Sequence, residues 1–290
     1  MPSIKDLKSR ITSVKNTQQT TKAMKMVSAA KLRRATEAIL SQRPYAQEIA
    51  KMMGIVSAAG AGSSGETAAK TPATLVLVIS SDRGLCGGYN GSVTRTTLNF
   101  LAEKKKAGRA VKLAFCGKKA MELVKSRVAV EQTHYEEFGA KVTFKKALDL
   151  SKKLSAMYDG GMVDEVVIIY NEFKNAISQV VQAQTVLPLN SVEMVEGDLR
   201  SVEKTLFEPS KPELYETLSS KYFVIQVFKA MLEAQASEHG ARMSAMENAT
   251  KNAGDMIRKL TLQYNKQRQA AITKELLEII SGSESQKVQA

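Results

Sequence analysis

The sequence predicts an α/β domain with a mostly parallel sheet, inserted between two long terminal helices that pair as an antiparallel coiled coil. Three observations support this prediction. Both termini are rich in helix-forming residues, both carry an apolar seam of heptad spacing, and apolar runs alternate with helical stretches between them. A chain of 290 residues is long enough for one or two domains with a hydrophobic core.

The N-terminal segment predicts one long helix. Residues 3–43 contain neither Gly nor Pro, and their apolar residues begin with steps of 3, 4 and 3. The seam is expected to run through Ile4, Leu7, Ile11, Val14, Gln18, Thr21, Met24, Val27, Leu32, Ala35 and Ile39. Pro44 is expected to break or bend this helix, because proline has no N–H to donate.

The C-terminal segment predicts a longer helix. After Pro212, only Gly240 and Gly254 interrupt about 70 residues of helix-favouring sequence. Its seam positions are Met246, Ala249, Ala253, Met256, Leu260, Ile272, Leu276 and Ile279. At 1.5 Å per residue, about 65 helical residues span roughly 100 Å, about twice the diameter of a compact domain of this size. We therefore expect the terminal helices to pair with each other or with partner subunits.

The middle of the chain predicts a layered α/β domain. Buried parallel strands are expected at 73–80, 110–115 and 164–170, and an antiparallel edge strand at 177–187. Helices are expected at 91–106, 117–126 and 143–158. The predicted boundaries are an N-terminal coiled-coil helix at 1–56, a linker at 57–71, the α/β domain at 72–190, a connecting foot segment at 191–212 and a C-terminal coiled-coil helix at 213–290.

The net charge of +13 is concentrated near the N terminus. Residues 1–53 hold 11 Lys and Arg against 3 Asp and Glu, a net charge of +8. Such an excess indicates an acidic or polyanionic partner. A basic helical protein that binds nucleic acid is therefore one alternative, although residues 3–43 contain no aromatic residue on which bases could stack.

The glycine-rich segment after the first predicted strand is the most enzyme-like feature. Residues 81–91 read SDRGLCGGYNG, and a loop at this place can hold phosphate at a helix N terminus, which makes an α/β nucleotide-binding enzyme the second alternative. Gly84, Gly87 and Gly88 match neither the G-x-G-x-x-G nor the P-loop spacing. We expect instead a tight turn whose glycines let strand and helix pack closely, with Asp82 and Arg83 paired.

Residues for other chemistry are scarce. Two cysteines, Cys86 and Cys116, and two histidines, His134 and His239, have no zinc-ligand spacing, and nothing in the spacing places a base beside Cys86. We expect no catalytic site, metal or cofactor in this chain. No apolar run reaches the length of about 18 residues that a membrane span needs, and the N terminus lacks a signal-peptide core. The chain is therefore expected to stay in the cytosol.

Three segments together resemble the gamma subunit of bacterial ATP synthases. They are residues 4–27, residues 81–90 and residues 264–279, the last reading YNKQRQAAITKELLEI. The family motif in the second segment comprises Asp82, Arg83, Gly84, Cys86, Gly87, Gly88 and Asn90. The third segment is the most specific. Just beyond it the sequence departs from the family pattern at Ser283, where alanine is usual.

The resemblance implies the central rotor shaft of a proton-driven rotary motor. The terminal helices would form a coiled coil inside a ring of alpha and beta subunits. The Rossmann-like insert would contact the epsilon subunit and the membrane-embedded c ring. Rotation of the c ring would change the conformations of the catalytic sites on beta. The complex would place this chain peripherally on the cytoplasmic face of the bacterial inner membrane.

The resemblance also implies roles for residues that match the family. Residues expected to contact the beta subunit are Met24, Arg242, Arg268, Gln269, Thr273 and Glu275. Phe207 and Glu208 match the foot segment that contacts the c ring. The residues alone favour another explanation for Met24, which is a seam position of the coiled coil.

Overall fold

The computed structural model describes residues 3–57, 73–129, 131–139, 141–189 and 207–288. It consists of two compact units: the first comprises Met1–Val27 and Ala245–Ala290, the second Ser28–Ser244. The predicted linker at 57–71 lies outside the described residues except for residue 57. The part of the predicted foot segment before residue 207 also lies outside them.

The described residues form helices and strands in the predicted order. They are α1 (Ile4–Val56), β1 (Ala73–Ile79), α2 (Tyr89–Lys106), β2 (Ala110–Cys116), α3 (Lys118–Lys125), β3 (Glu131–Glu136), α4 (Phe144–Asp159), β4 (Glu165–Phe173), β5 (Gln179–Leu187) and α5 (Lys211–Val288). Strand β3 was not predicted, because its sequence EQTHYE contains no apolar run.

The five strands form one sheet in the order β3-β2-β1-β4-β5. β1 pairs in parallel with β2 and β4, and β2 pairs in parallel with β3. β5 is antiparallel to β4 and lies at one edge of the sheet, so the predicted antiparallel edge strand is confirmed. The strand order is that of a doubly wound fold, with its switch point between β1 and β4.

Both faces of the sheet are covered, because alternate side chains of each buried strand point to opposite sides. One face carries Val76, Val78 and their neighbours, which pack with residues of α2 and α3. The other carries Leu75, Leu77 and Ile79, which belong to the cluster formed with α1, α4 and α5. The α/β prediction is therefore confirmed, with the two terminal helices as part of one covering layer.

Helix α1 begins with a reciprocal capping arrangement. The N–H of Asp6 donates to Ser3 Oγ and the N–H of Ser3 donates to Asp6 Oδ2, both at 3.1 Å. Hydrogen bonding of the Asp6 carboxylate with Ser3, through the Ser3 side chain first and its backbone N–H second, lowers the pKa of Asp6. At the other end, the helix continues through Pro44 to Val56, so Pro44 does not end it. Ile49 and Met53 beyond this proline pack against Leu218 of α5.

One glycine is required by the close approach of two backbone segments. Gly117 follows β2 with a φ of 105°, and a Cβ built there would lie 2.1 Å from the carbonyl oxygen of Ser80. The N–H of Ser80 also donates to the carbonyl oxygen of Cys116 at 2.8 Å. The ends of β1 and β2 can therefore meet only because residue 117 lacks a side chain.

Candidate functional site

In the first unit, α1 and α5 pair through polar contacts. The hydroxyl oxygens of Thr21 and Thr250 lie 2.8 Å apart, Lys25 Nζ lies 2.6 Å from Glu247 Oε1, and Gln18 Nε2 donates to Thr250 O at 3.4 Å. Partner numbers rise along α5 as residue numbers fall along α1. The helices are therefore antiparallel, as predicted.

Where α1 and α5 pair, two positions of the predicted seam are wrong. Val27 is 57 % exposed and Met256 is 52 % exposed, although both were assigned to the apolar seam. The buried neighbour of Val27 is Ser28, and the half-buried neighbour of Met256 is Ile257. A straight helix has 3.6 residues per turn, so a seam drawn with heptad steps drifts off the buried face within a few turns.

The far end of α5 exposes its apolar side chains. Their exposed fractions range from 48 % to 67 %. This apolar end of α5 comprises Ile272, Leu276, Leu277, Ile279 and Ile280. Gln18 lies opposite Gly254, so Ile4, fourteen positions before Gln18, lies opposite about residue 268. The apolar end therefore extends past the start of α1, and an exposed patch of this kind is typical of a protein–protein contact.

Five of the six residues expected to contact the beta subunit lie in the first unit, in two places. Arg268, Gln269, Thr273 and Glu275 are all exposed and adjoin the apolar end. The Thr273 hydroxyl donates to the backbone carbonyl oxygen of Gln269 at 3.0 Å. Met24 is half-buried in the helix pair.

In the second unit, the glycine-rich turn after β1 is held by a buried polar cluster. The N–H of Ser81 donates to Asn90 Oδ1 at 3.2 Å, and Asn90 Nδ2 donates to Ser81 Oγ at 2.8 Å and to Cys86 Sγ at 3.1 Å. Cys86 is 2 % exposed. Its sulfur accepts a structural hydrogen bond within the turn, which accounts for Cys86 and Asn90 of the motif.

Asp82 binds backbone rather than its neighbour. Its carboxylate accepts from the N–H groups of Lys118 at 3.2 Å, Phe138 at 3.1 Å and Gly139 at 2.7 Å. Within the described ranges, no ion pair joins Asp82 to Arg83, so that predicted pair is wrong. The physical reason is that one carboxylate satisfies three N–H groups that converge from two separate segments.

The glycines of the turn are explained by backbone conformation and not by close packing. A Cβ at Gly84 or Gly88 would meet nothing within 4 Å, so the predicted close packing is wrong at both positions. Gly87 has a φ of 58°, and Leu85 has a φ of 64° although it is not a glycine. The turn therefore depends on left-handed backbone at positions 85 and 87.

Helix α5 covers the crevice beside this turn. The Tyr89 hydroxyl donates to Ala234 O at 3.1 Å, and the Ser237 hydroxyl donates to Asn171 O at 3.0 Å. All residues from 231 to 240 are buried. In doubly wound folds, ligands bind at the carboxyl ends of the strands at the switch point. Here that place is occupied by the chain's own helix, which weighs against the nucleotide-binding alternative.

Arg242 connects α5 to the turn. Its guanidinium lies 2.6 Å from Glu238 Oε1 and donates to the carbonyl oxygens of Gly84 at 3.2 Å and Arg83 at 3.4 Å. The Arg242 side chain is 13 % exposed. The structure thus brings Arg242 together with two motif residues, Arg83 and Gly84.

The polar residues beside Arg242 have shifted pKa values. Burial raises the pKa of Glu238, and the nearby Arg242 charge opposes that shift. Burial lowers the pKa of His239 to about 4, with the positive charges of Arg242 and Lys31 acting in the same direction. Burial also raises the pKa of Cys116 to about 12, so this thiol stays protonated at neutral pH. Neither His239 nor Cys116 therefore titrates near pH 7.

The two residues expected at the c ring differ in exposure. Phe207 is half-buried and packs against the cluster that contains Met53 and Leu218, and Lys211 Nζ lies 5.3 Å from its ring centroid. Glu208 is exposed. The aromatic residue therefore supports the fold of the second unit, and the carboxylate is available at the surface.

Comparison with known proteins decides the family. A family model described as ATP synthase matches residues 3–285. An ATP synthase gamma chain of Geobacter metallireducens is 44% identical over 289 residues, covering 99% of this chain and 100% of the relative. One of Rhodospirillum rubrum is 43% identical over 298 residues, covering 98% and 100%. The chain belongs to the ATP synthase gamma-chain family.

Solved structures agree with this assignment. The central stalk and c-ring structure of Tetrahymena thermophila mitochondrial ATP synthase contains a chain that is 29% identical, with a TM-score of 0.57, over 79% of this chain and 98% of that one. The rotor of Euglena gracilis mitochondrial ATP synthase contains one that is 19% identical, with a TM-score of 0.67, over 93% and 98%. The latter likeness concerns the fold alone. In the part of the chain that the structure describes, no helix is long and apolar enough to cross a membrane.

Proposed function

We propose that this chain is the central rotor shaft of a proton-driven rotary ATP synthase. In this role it couples rotation of a membrane c ring to conformational change at the catalytic sites of the beta subunits. The observation that carries the proposal is the relationship to ATP synthase gamma chains over the whole length of both proteins. The exposed apolar end of α5 supports it, because a shaft must present a surface that other subunits enclose.

The apolar end of α5 fits a bearing surface. A rotating shaft must pass through many orientations without a deep energy minimum, and apolar contacts are non-directional, unlike hydrogen bonds. The few polar side chains beside it, among them Arg268 and Gln269, can form transient hydrogen bonds to a beta subunit at particular angles. We also assign Thr273, Glu275, Met24 and Arg242 to contacts with beta.

The remaining assignments follow from the same role. Phe207 and Glu208 belong to the foot that meets the c ring, and the epsilon subunit binds the α/β domain. The chain itself has no catalytic site and needs no cofactor, because ATP is made on beta. The complex holds the chain at the cytoplasmic face of the bacterial inner membrane. The segments 1–56, 72–190 and 213–290 are its functional divisions, joined by the linker 57–71 and the foot 191–212.

Reconstitution tests the proposal. The full chain is co-expressed with alpha and beta subunits and purified through a tag on beta. We expect a stable complex whose ATP hydrolysis drives proton pumping once epsilon and the membrane part are added, and whose pumping is lost when this chain is omitted. Failure of the chain to co-purify, together with salt-dependent binding to DNA or nucleotide protection against thermal unfolding, would favour one of the alternatives.

A further inference from the structure

A cavity in the second unit lies between α1, α4 and α5 and has a volume of about 300 Å³. Its floor is apolar and buried: Val142, Ile225 and Leu232 are 6 %, 1 % and 2 % exposed. Its rim is aromatic and open to solvent, since Tyr45 is 52 % exposed and Phe144 is 47 % exposed. This combination of buried apolar floor and accessible mouth is typical of a small-molecule site, and the volume lies at the lower end of the range for such sites.

One polar group in the lining has no partner. Gln42 Nε2 is buried and makes no hydrogen bond. By contrast, the hydroxyl of Ser41 already donates to Ala38 O at 2.9 Å. A buried donor without an acceptor is costly, so a ligand that supplies an acceptor gains more here than it would from an equally apolar cavity.

The lining also restricts the chemistry of a ligand. None of the residues that line the cavity is charged, so an ionised ligand would be desolvated without compensation. Two of them, Phe144 and Phe228, form an edge-to-face pair with ring centroids 5.6 Å apart. Aromatic walls of this kind favour a further ring, which can pack in the same edge-to-face or offset manner.

We propose that this cavity binds a small neutral molecule with one aromatic ring and one hydrogen-bond acceptor, such as an aryl ketone or ester. The ring of the ligand packs with the Phe144–Phe228 pair on one side and the apolar floor on the other. Its acceptor accepts a hydrogen bond from Gln42 Nε2. The residues that line the cavity include none from the glycine-rich turn and none from the apolar end of α5. The existence of the site is independent of the role as a rotor shaft.

Two probes of equal shape test the proposal. Acetophenone and α-methylstyrene differ only by an oxygen in place of a methylene group, so only the former offers an acceptor. Their dissociation constants are measured on the full 290-residue chain by saturation-transfer NMR. We expect both to bind with millimolar affinity and acetophenone to bind about fivefold more tightly, the gain of one hydrogen bond to a buried donor.

Variants locate the binding. Gln42→Leu is expected to bring the affinity ratio of the two probes close to one, while α-methylstyrene still binds. Gln47→Leu, an exposed position of the same helix, is the matched control and should leave the ratio unchanged. Ala38→Met should fill the cavity and abolish binding of both probes. Should that variant fail to fold, Ser41→Leu at the exposed rim gives the same test.

The results decide between occupants. Equal affinity of the two probes for the unmodified chain, or a ratio that survives Gln42→Leu, would overturn the proposal. The proposal would also be overturned if neither probe bound and the Gln42 side-chain amide resonances shifted on addition of a partner subunit. That outcome would assign the cavity to an apolar side chain of the partner.

Discussion

Arg242 Nη2 donates to the carbonyl oxygen of Gly84 at 3.2 Å, across 158 positions of the chain. The same guanidinium lies 2.6 Å from Glu238 through its other terminal nitrogen. One side chain therefore joins helix α5 to the turn that carries the family motif. The turn contains left-handed backbone at Leu85 and Gly87, and a fixed contact from outside helps to hold such a conformation.

Removing this contact should loosen the turn. We expect Arg242→Ala to lower the free energy of unfolding by about 1–3 kcal/mol, because Glu238 then loses its charged partner while buried. Amide hydrogen exchange at residues 84–88 should accelerate as well. Chemical denaturation and exchange mass spectrometry measure both effects. Arg83→Ala, at an exposed neighbour, is the control and should change stability by less than about 0.5 kcal/mol. Unchanged exchange in Arg242→Ala would contradict the role given to this side chain.

Alanine substitutions at two glycines with positive φ distinguish the cost of a steric clash from the cost of backbone strain alone. Gly117→Ala should destabilise the chain by more than about 4 kcal/mol or prevent folding, since the added Cβ would lie 2.1 Å from Ser80 O. Gly161→Ala, with a φ of 66° and nothing within 4 Å, should cost only about 1–2 kcal/mol. Urea denaturation of the two variants gives the comparison. Equal losses would show that Ser80 can move aside.

The buried His239 should make stability depend on pH. Its pKa is lowered to about 4 in the folded chain from an ordinary value near 6.5, so the unfolded chain binds more protons between these values. Its contribution is fully present above pH 6.5 and is lost as the pH falls toward 4, by roughly 2–3 kcal/mol. The free energy of unfolding is measured by denaturation at pH 5 and pH 7.5 for the unmodified chain and for His239→Gln. The difference between the two proteins gives the contribution of His239. Buried Glu233 and Glu238 have raised pKa values, so their contribution to stability increases as the pH falls, opposite to that of His239. The test therefore depends on the difference between the two proteins and not on the pH dependence of either one. An identical pH dependence would be inconsistent with a neutral buried imidazole.

The apolar end of α5 should matter for assembly and not for folding. Leu276→Asp and Ile279→Asp alter side chains that are 55 % and 67 % exposed, so thermal unfolding of the isolated chain should be nearly unchanged. In the reconstituted complex, the same variants should weaken assembly or uncouple ATP hydrolysis from proton pumping, because they would place a charge against the apolar surface of the enclosing subunits. Lys274→Gln changes the net charge by the same amount at a polar position and is the control. Normal ATP synthesis by the Asp variants would exclude the bearing role.

Much of the fold follows from local patterns. Apolar runs of strand length identify the strands of the sheet. Apolar residues at heptad spacing identify the paired terminal helices, since the period and length of an apolar pattern distinguish strands from helices. Strand β3 was missed because its residues are polar and its place in the sheet comes from pairing with β2. The seam was misplaced at Val27 and Met256 because exposure depends on how the helix turns against its partner.

The candidate site was predicted less completely. The motif was recognised, but the pairing of Asp82 with Arg83 was wrong, because adjacent opposite charges suggest a pair that the converging N–H groups of Lys118, Phe138 and Gly139 outcompete. The contribution of Glu238 and Arg242 to the turn was missed. A signal was present: small residues recur through 234–240 of α5, including Ala234, Ala236 and Gly240, and such residues permit the close approach that buries this stretch on all sides.

The amino-acid sequence by itself determined which segments are helix or strand, that the termini pair, and which family the motifs resemble. These properties arise from interactions between residues close in the chain or from patterns that repeat along it. The tertiary structure alone decided that α5 fills the ligand crevice of the sheet, that Arg242 holds the turn after β1, and that the last apolar residues of α5 remain exposed. Each of these depends on contacts, or on missing contacts, between segments far apart in the chain, for which no local pattern encodes the partner.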